Sequence, residues 1–158
     1  MSLPSPRIET IGAKYFVGIR LPMSFAANRT AELWQTFMPL RARIENRVSA
    51  ELYSLQVYPP VLTTETSFEK WALAEVAEGA PAPEGMESFR LEGGQYAVFQ
   101  YKGHPAAAQP FFQEIFQVWL PASGYILDDR PHFEILGAAY RNNHPDSEEE
   151  VWIPVKKN

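Results

Sequence analysis

The order of predicted elements is repeated along this chain, and that repeat is the strongest constraint on its fold. Alternating apolar residues predict a strand at Lys14–Arg20. Apolar residues spaced by three and four then predict an amphipathic helix from about Asn28, which Pro39 is expected to bend. Alternating segments follow at 51–58 and 67–76, with a Pro pair between them. The first half therefore has the order strand, helix, strand, strand.

The same order returns after a loop at 78–85, whose Pro and Gly residues exclude regular structure. The predicted elements of the second half are a strand at 95–101, a helix at 109–120, and strands at 132–138 and 151–155. Repeats of this size suggest two modules that are related by a pseudo-twofold axis and share one sheet or cleft. We predict an α+β fold of two β-α-β-β modules, with an antiparallel sheet, two long helices and a central ligand cleft.

The predicted modules span about 13–78 and 93–156, and together they form a single domain over residues 13–156. Residues 1–12 begin with a Pro- and Ser-rich segment without periodicity, so we predict that they form a flexible lead. One domain is also the number expected for a chain of 158 residues.

Composition excludes several classes of function. The formal charge of −5 and the absence of a basic block argue against direct nucleic-acid binding. No apolar stretch approaches the roughly 20 residues of a membrane span, and the N-terminus lacks a signal pattern. The absence of cysteine excludes disulfides, thiol catalysis and zinc-thiolate sites. We therefore expect a cytoplasmic protein that binds neither nucleic acid nor membrane.

One carboxylate interrupts an apolar strand. Glu134 is flanked by Phe133 and Ile135, and a buried ion loses several kcal/mol of hydration unless an opposite charge replaces the water. Either Glu134 faces solvent, alone or paired with Arg130 or Arg20, or it receives a cation.

The alternation predicts how residues divide between the two faces of the sheet. We expect Phe133 and Ile135 to pack beneath the helices together with Val151, Ile153 and Val155. The opposite face would then hold residues that are aromatic or polar: Tyr58, Trp71, His132, Glu134 and Trp152. A mixed surface of that kind is typical of a small-molecule site.

Four segments of the second half resemble the GyrI-like superfamily, the effector-binding domains of AraC- and MerR-type multidrug-responsive regulators. The resemblance is strong over residues 93–156 and mostly one of pattern over residues 13–78. The segments are Gly94-Gln-Tyr-Ala-Val-Phe with Lys102-Gly103, Trp119-Leu-Pro-Ala-Ser-Gly-Tyr125, Pro131-His-Phe-Glu134 and Val151-Trp-Ile-Pro-Val155.

The resemblance implies that Glu134 lies in the cleft and pairs with cationic, often aromatic, ligands. It also implies that Tyr58, Trp71 and Trp152 stack on the ligand. Many members have a Tyr two residues after the glutamate, whereas this chain has Leu136, so that polar contact is missing or comes from Tyr140.

Three further aromatic residues are secondary candidates for the ligand site. Phe16 and Phe99 fall on the cleft face if the register of the repeat is right, and a slip of one residue would bury them. Trp119 shares a helical stripe with Phe112 and Phe116, which favours a place in the core over ligand contact.

Three functions remain open from the sequence. The first is a stand-alone domain that binds hydrophobic or aromatic, cationic compounds in sensing or drug sequestration. The second is a hydrolase that opens cyclopropane-containing natural products with Glu134 as the catalytic carboxylate. The third is an interaction module for a separate regulator or DNA enzyme. No cofactor is predicted, and the three histidines are too scattered to predict a metal site.

Overall fold

The computed structural model describes residues 5–141 and 144–158. This part of the chain forms nine strands, including every strand that the alternating pattern predicts. The sequence prediction missed three short strands, at Arg7–Ile11, Glu87–Leu91 and Tyr125–Leu127. The strands are β1 Arg7–Ile11, β2 Lys14–Met23, β3 Arg47–Val57, β4 Phe68–Val76, β5 Glu87–Leu91, β6 Gly94–Lys102, β7 Tyr125–Leu127, β8 His132–Leu136 and β9 Glu148–Lys157.

Both predicted helices form, and each contains an irregular segment. Helix α1 covers Thr30–Leu40 and ends one residue after Pro39, whose nitrogen carries no N–H to donate, and a 3₁₀ turn at Arg41–Arg43 follows. The second helix, which we call α2, starts with an α-helical segment at Gln109–Glu114. It continues as a π-helical segment at Ile115–Trp119 and ends in a last turn at Leu120–Ala122.

The strands form a curled antiparallel sheet whose order reads symmetrically from either edge. The order is β1-β6-β9-β8-β3-β4-β2-β5, and β7 pairs with β9 outside this path. Strands β2, β3 and β4 come from the first half and β6, β8 and β9 from the second, so the two halves meet where β3 pairs with β8. Strand β1, which precedes the first half, pairs with β6 at the outer edge of the second half. Strand β5, which precedes the second half, pairs with β2 at the outer edge of the first half.

Strand β1 corrects the prediction of a flexible lead through residue 12. Arg7–Ile11 pairs with the segment from Gly94 to Val98, and Ile11 packs against buried residues of the sheet. The segment has no clear alternation that would predict a strand. Its stabilising contacts come from a partner strand almost 90 residues away, so no local signal marked it. Residues 1–4 lie outside the described part of the chain.

Both faces of the sheet are buried. Helix α1 covers a cluster that includes Val17, Ala72 and Ala74, and helix α2 covers one that includes Phe99 and Ile153. The opposite face carries no helix, and the curl of the sheet encloses a third cluster there. That cluster is rich in aromatic residues: Phe16, Tyr53, Trp71, Tyr96, Phe133 and Trp152.

The predicted division between the faces is therefore wrong for Phe133 and Ile135, which lie on the face without helices. The register shows why. Leu55 lies opposite both Trp71 and Phe133, and Phe133 lies opposite Trp152, so these four side chains share one face. Apolar residues lie on both faces of the sheet, so an apolar pattern alone could not predict which face the helices cover.

We predict that Phe133→Ala lowers the free energy of unfolding by about 3–5 kcal/mol. Phe133 is fully buried, and its ring lies 5.1 Å from Tyr96 and 5.2 Å from Trp152 between ring centroids, so its removal leaves a cavity in the enclosed cluster. Urea unfolding measures the change. Val118→Ala is the control, because this side chain is 58% exposed and its truncation should cost less than about 0.5 kcal/mol. Similar costs for the two variants would contradict the assignment of this core.

Candidate functional site

A cleft of about 1320 Å³ lies on the helix-covered face, above strands β3, β4 and β8. Helix α2 and the loops that follow β2 and β3 form its walls, and side chains of the sheet form its floor. Its volume is enough for a drug-sized molecule. Four polar side chains lie on the floor: Gln56, Lys70, His132 and Glu134.

Strand register brings these four side chains together. Gln56 of β3 lies opposite Lys70 of β4 on one side and His132 of β8 on the other. Glu134 follows two residues after His132 on the same strand, and its own partner is Ser54. Because directly opposed residues point to the same face of a sheet, the floor is a continuous polar patch within a largely apolar surface.

Glu134 lies at the bottom of the cleft and is half-buried. Gln56 Nε2 donates a hydrogen bond of 3.2 Å to Glu134 Oε1. Burial raises the pKa of the carboxyl, while the charge of Lys70 and the Gln56 hydrogen bond act in the opposite direction. The carboxylate is thus surrounded by protein on most sides and remains reachable from the cleft.

The two arginines that the sequence offered as ion-pair partners for Glu134 are engaged elsewhere. Arg20 pairs with Glu69 at 2.7 Å and Glu87 at 3.0 Å, and Arg130 pairs with Asp128 at 2.8 Å. Within residues 5–141 and 144–158, no lysine or arginine nitrogen lies within 4.0 Å of a Glu134 oxygen. The carboxylate therefore has no direct salt bridge in the described structure.

Lys70 is the floor residue that sequence reasoning missed. Its side chain lines the cleft although the residue is only 7% exposed. Burial lowers its pKa, and the carboxylates of Glu134 and Glu149 partly compensate. A buried amine and a buried carboxyl thus influence each other across the floor without forming a close pair.

Glu149 of β9 adds a second acidic group behind the floor. Burial raises its pKa to about 7, and the nearby charge of Glu134 contributes further to the rise. Tyr140 lies close enough that, after burial, both carboxylates raise the pKa of its hydroxyl. The charge of this region therefore changes near neutral pH.

Aromatic rings surround the entrance side of the polar floor. The Tyr58 ring lies 4.9 Å from Phe68 and 5.0 Å from His132 between centroids, and Phe25 lies 5.1 Å from Phe68. Burial, helped by the charge of Arg130, lowers the pKa of His132 to about 4, so its imidazole is neutral at neutral pH. On the α2 side the Phe116 ring lies 6.2 Å from His132. The cleft thus combines a carboxylate floor with an uncharged aromatic wall.

The structure brings Glu134 and Tyr58 together in this cleft, but it does not bring Trp71, Trp152 or Phe16 there. The prediction that these three share a face with Glu134 is wrong, because Glu134 lies opposite Val151 in the register whereas Trp152 lies opposite Phe133. All three are buried in the cluster on the other side of the sheet.

The two tryptophans already have polar partners within the protein. Trp71 Nε1 donates to Glu69 at 2.7 Å, and Trp152 Nε1 donates to Glu150 at 3.1 Å. Each ring also has an arginine over it, Arg20 for Trp71 and the arginine of β1 for Trp152, at 5.5 and 5.8 Å from the ring centroid. The ring faces that the resemblance assigned to a ligand thus make cation-π contacts with the chain's own guanidinium groups.

Phe99 and Trp119 lie on the helix-covered side, but in the core between α2 and the sheet. Their rings meet edge to face with centroids 5.1 Å apart, and neither residue lines the cleft. For Trp119 this is the core position that the helical stripe favoured. Phe99 was a candidate for ligand contact, but it is buried in the core between α2 and the sheet, and the cleft opens only beyond this packed region.

A signal for the correct face was present in strand β4. The run Trp71-Ala-Leu-Ala74 alternates large and small side chains, and only the small ones leave room for a helix to approach the sheet. Ala72 and Ala74 lie under α1, and Lys70 has the same parity as they do. Lys70 was missed because the sequence prediction placed the ligand site on the face that no helix covers, whereas the cleft lies on the face of Ala72 and Ala74.

Among the described residues, no helix is long and apolar enough to cross a membrane. The same residues contain no cluster of three histidine, aspartate or glutamate side chains arranged to hold a metal ion.

Comparison with known proteins gives a family match over nearly the whole chain. A family model described as a GyrI-like small molecule binding domain matches residues 4–156. The chain is also 28% identical over 152 residues to the transcriptional regulator BrlR of Pseudomonas aeruginosa. That alignment covers 95% of this chain and 53% of BrlR, so the chain spans about half the length of the curated relative that it matches.

Two solved structures share the fold at low sequence identity. SAV2435 bound to tetraphenylphosphonium superposes with a TM-score of 0.74 and 18% identity, covering 97% of this chain and 94% of SAV2435. EcmrR in a complex with DNA superposes with a TM-score of 0.71 and 11% identity, covering 97% of this chain and 57% of EcmrR.

We predict that Glu134→Gln raises the free energy of unfolding by about 1 kcal/mol at about pH 8. Because burial raises the pKa of Glu134, the folded state favours the protonated carboxyl, and the associated stability is lost as the pH rises through that raised pKa. Glutamine resembles the protonated form and retains an oxygen that accepts from Gln56. Urea unfolding at several pH values measures the effect, which should vanish below the pKa of the unfolded carboxyl. A variant less stable than wild type at the higher pH would contradict this assignment.

Proposed function

The chain belongs to the GyrI-like family of small-molecule-binding domains, and we propose that its cleft binds hydrophobic aromatic cations with Glu134 as the counter-charge. The observation that carries this proposal is the position of Glu134, a half-buried carboxylate without a direct salt bridge among the described residues, at the bottom of an aromatic cleft. A cation that enters the cleft would supply the missing opposite charge.

The floor and the wall of the cleft would contribute in different ways. In surroundings poor in water, attraction between Glu134 and a cation is stronger than it is at the protein surface. The rings of Tyr58, Phe68 and Phe116 offer apolar contact area, and a cation over a ring face gains roughly 0.5–2 kcal/mol. Lys70 opposes any cation, so a ligand with its charge spread over a large apolar body, placed towards Glu134, fits best.

The structural relatives support this ligand class and suggest a setting for it. SAV2435 was solved with tetraphenylphosphonium, a cation of that description, and this chain shares its fold. BrlR is a transcriptional regulator, EcmrR was solved on DNA, and this chain spans about half of each. We propose that the domain recognises ligands for a regulator; sequestration of the same compounds is the alternative use.

We predict that Glu134→Gln weakens tetraphenylphosphonium binding at least roughly tenfold, about 1.4 kcal/mol. Loss of the negative charge removes the main attraction for a cation but leaves the aromatic wall intact. Isothermal titration measures the affinity, with neutral triphenylphosphine oxide as a second probe whose binding should change much less. Mass spectrometry of the recovered ligand separates binding, which leaves it unchanged, from the hydrolysis alternative.

Glu75→Gln is the matched control for this titration. Glu75 lies on the other face of the same sheet, where it accepts a hydrogen bond of 3.2 Å from Tyr53 Oη. Its replacement should leave cation binding as it is in wild type. Affinity that depends on Glu75 instead of Glu134 would place the site on the face of the two tryptophans and overturn the proposal.

We also predict that tetraphenylphosphonium affinity rises with pH between about pH 5 and pH 8. The cation itself does not titrate, whereas the pKa of Glu134 is raised and that of Glu149 is about 7, so negative charge accumulates at and behind the cleft floor as the pH rises. Titrations of wild type and Glu149→Gln at several pH values test this. In the variant, the increase in affinity around pH 7 should be absent. A flat profile in wild type would contradict the expectation.

A further inference from the structure

The amine of Lys70 differs from every other lysine in this chain. The sequence has five lysines, and all five lie in the described part. Lys70 is buried at the floor of the cleft, whereas Lys14 is half-exposed and pairs with Glu75 at 3.5 Å. The remaining three lysines, at 102, 156 and 157, are exposed. Of the five lysines, only Lys70 would contact an organic molecule in the cleft.

The surroundings of Lys70 leave its nitrogen available. Within residues 5–141 and 144–158, the Lys70 Nζ makes no hydrogen bond and has no carboxylate oxygen within 4.0 Å. The neighbour across the strand is Gln56, whose amide donates to Glu134 instead. The amine therefore borders an open volume of about 1320 Å³, which aromatic rings and the Glu134 carboxyl group also line.

We infer that Lys70 is a carbonyl-reactive amine that forms a reversible imine with aromatic aldehydes entering the cleft. The aromatic wall of Tyr58, Phe68 and Phe116 would hold the aryl group of such an aldehyde, and the polar floor would receive its carbonyl group. This activity uses the cleft of the proposed function, but it does not require a positively charged ligand.

The reaction is balanced without an oxidant, a reductant or a further reactant. The Lys70 nitrogen attacks the aldehyde carbon, a C–N bond forms as the C=O π bond opens, and the nitrogen loses one proton while the oxygen takes one, which gives a neutral carbinolamine. A second proton on the hydroxyl lets the C–O bond break and one water molecule leave while the nitrogen lone pair forms the C=N bond. The resulting iminium loses its N–H proton to give the neutral imine. Glu134 and Glu149, whose charges act on Lys70 from beyond 4.0 Å, would exchange these protons with the amine through water.

Two properties of the site favour this chemistry. Burial lowers the pKa of Lys70, so a larger fraction of this amine is unprotonated at neutral pH than of a surface lysine. The raised pKa of Glu149, about 7, keeps a carboxyl proton available under the same conditions. A free amine and a protonated carboxyl can then be present together.

The experiment is reductive trapping on the whole wild-type chain. The protein is incubated at neutral pH with 2-naphthaldehyde and sodium cyanoborohydride, whose hydride converts an imine into a stable secondary amine. Peptide mass spectrometry then locates each naphthylmethyl group. We expect Lys70 to carry at least roughly tenfold more label than any surface lysine. Label that follows exposure, with Lys70 modified no more than the exposed lysines, would overturn the inference.

Two variants sharpen the result. Lys70→Arg keeps the positive charge but cannot form this imine, so it should lose the dominant label, whereas Lys102→Arg should keep it. The wild-type peptide map is decisive even if a Lys70 variant fails to fold. Titration of the same wild-type sample with tetraphenylphosphonium reports on the proposed function separately, so failure of imine formation and failure of cation binding are distinguishable.

Discussion

The register of strand β3 against its two neighbours is the constraint on which this molecule depends. Leu55 lies opposite Trp71 and Phe133, which places large apolar side chains on the enclosed face. The next position, Gln56, lies opposite Lys70 and His132, which places polar side chains beneath the helices. A slip of one residue would exchange these sets, leaving ionisable groups in the aromatic core and aromatic rings at the cleft floor. One set of cross-strand pairs therefore establishes the core and the site together.

The sequence was sufficient to predict both helices and six of the nine described strands, and to single out Glu134 as a candidate, because periodicity and a charge in an apolar strand are local signals. It was not sufficient to predict which face of the sheet holds the site. That choice depends on pairing between residues that are distant in sequence, such as Phe133 and Trp152, almost 20 positions apart. Both faces also carry many apolar residues, so hydrophobicity does not distinguish them. Strand β1 was missed for the same reason, since its contacts come from a distant partner. Lys70 was missed because a lysine in a strand normally faces water.

The enclosed aromatic cluster and the polar floor of the cleft have opposite effects on stability. On the enclosed face, Phe133 and its aromatic neighbours bury large apolar area and contribute strongly to the folded state. At the cleft floor, burial works against the charged forms of Glu134 and Lys70. The enclosed cluster stabilises the fold that holds these groups in place. The aromatic cluster and the buried ionisable groups thus lie on opposite sides of one sheet.

The π-helical segment of α2 has a consequence for how such clefts diversify. Its backbone bonds connect residues five apart, so it holds a residue more per turn than the α-helical segments on either side. Phe116 and Gln117 of this segment line the cleft, while Ile115 at its start is anchored in the core. Deleting one residue after Ile115 would convert the π turn into an α turn and present different side chains to the ligand, with both helix ends in place. A change in chain length, as well as a substitution, would therefore change which side chains line this wall.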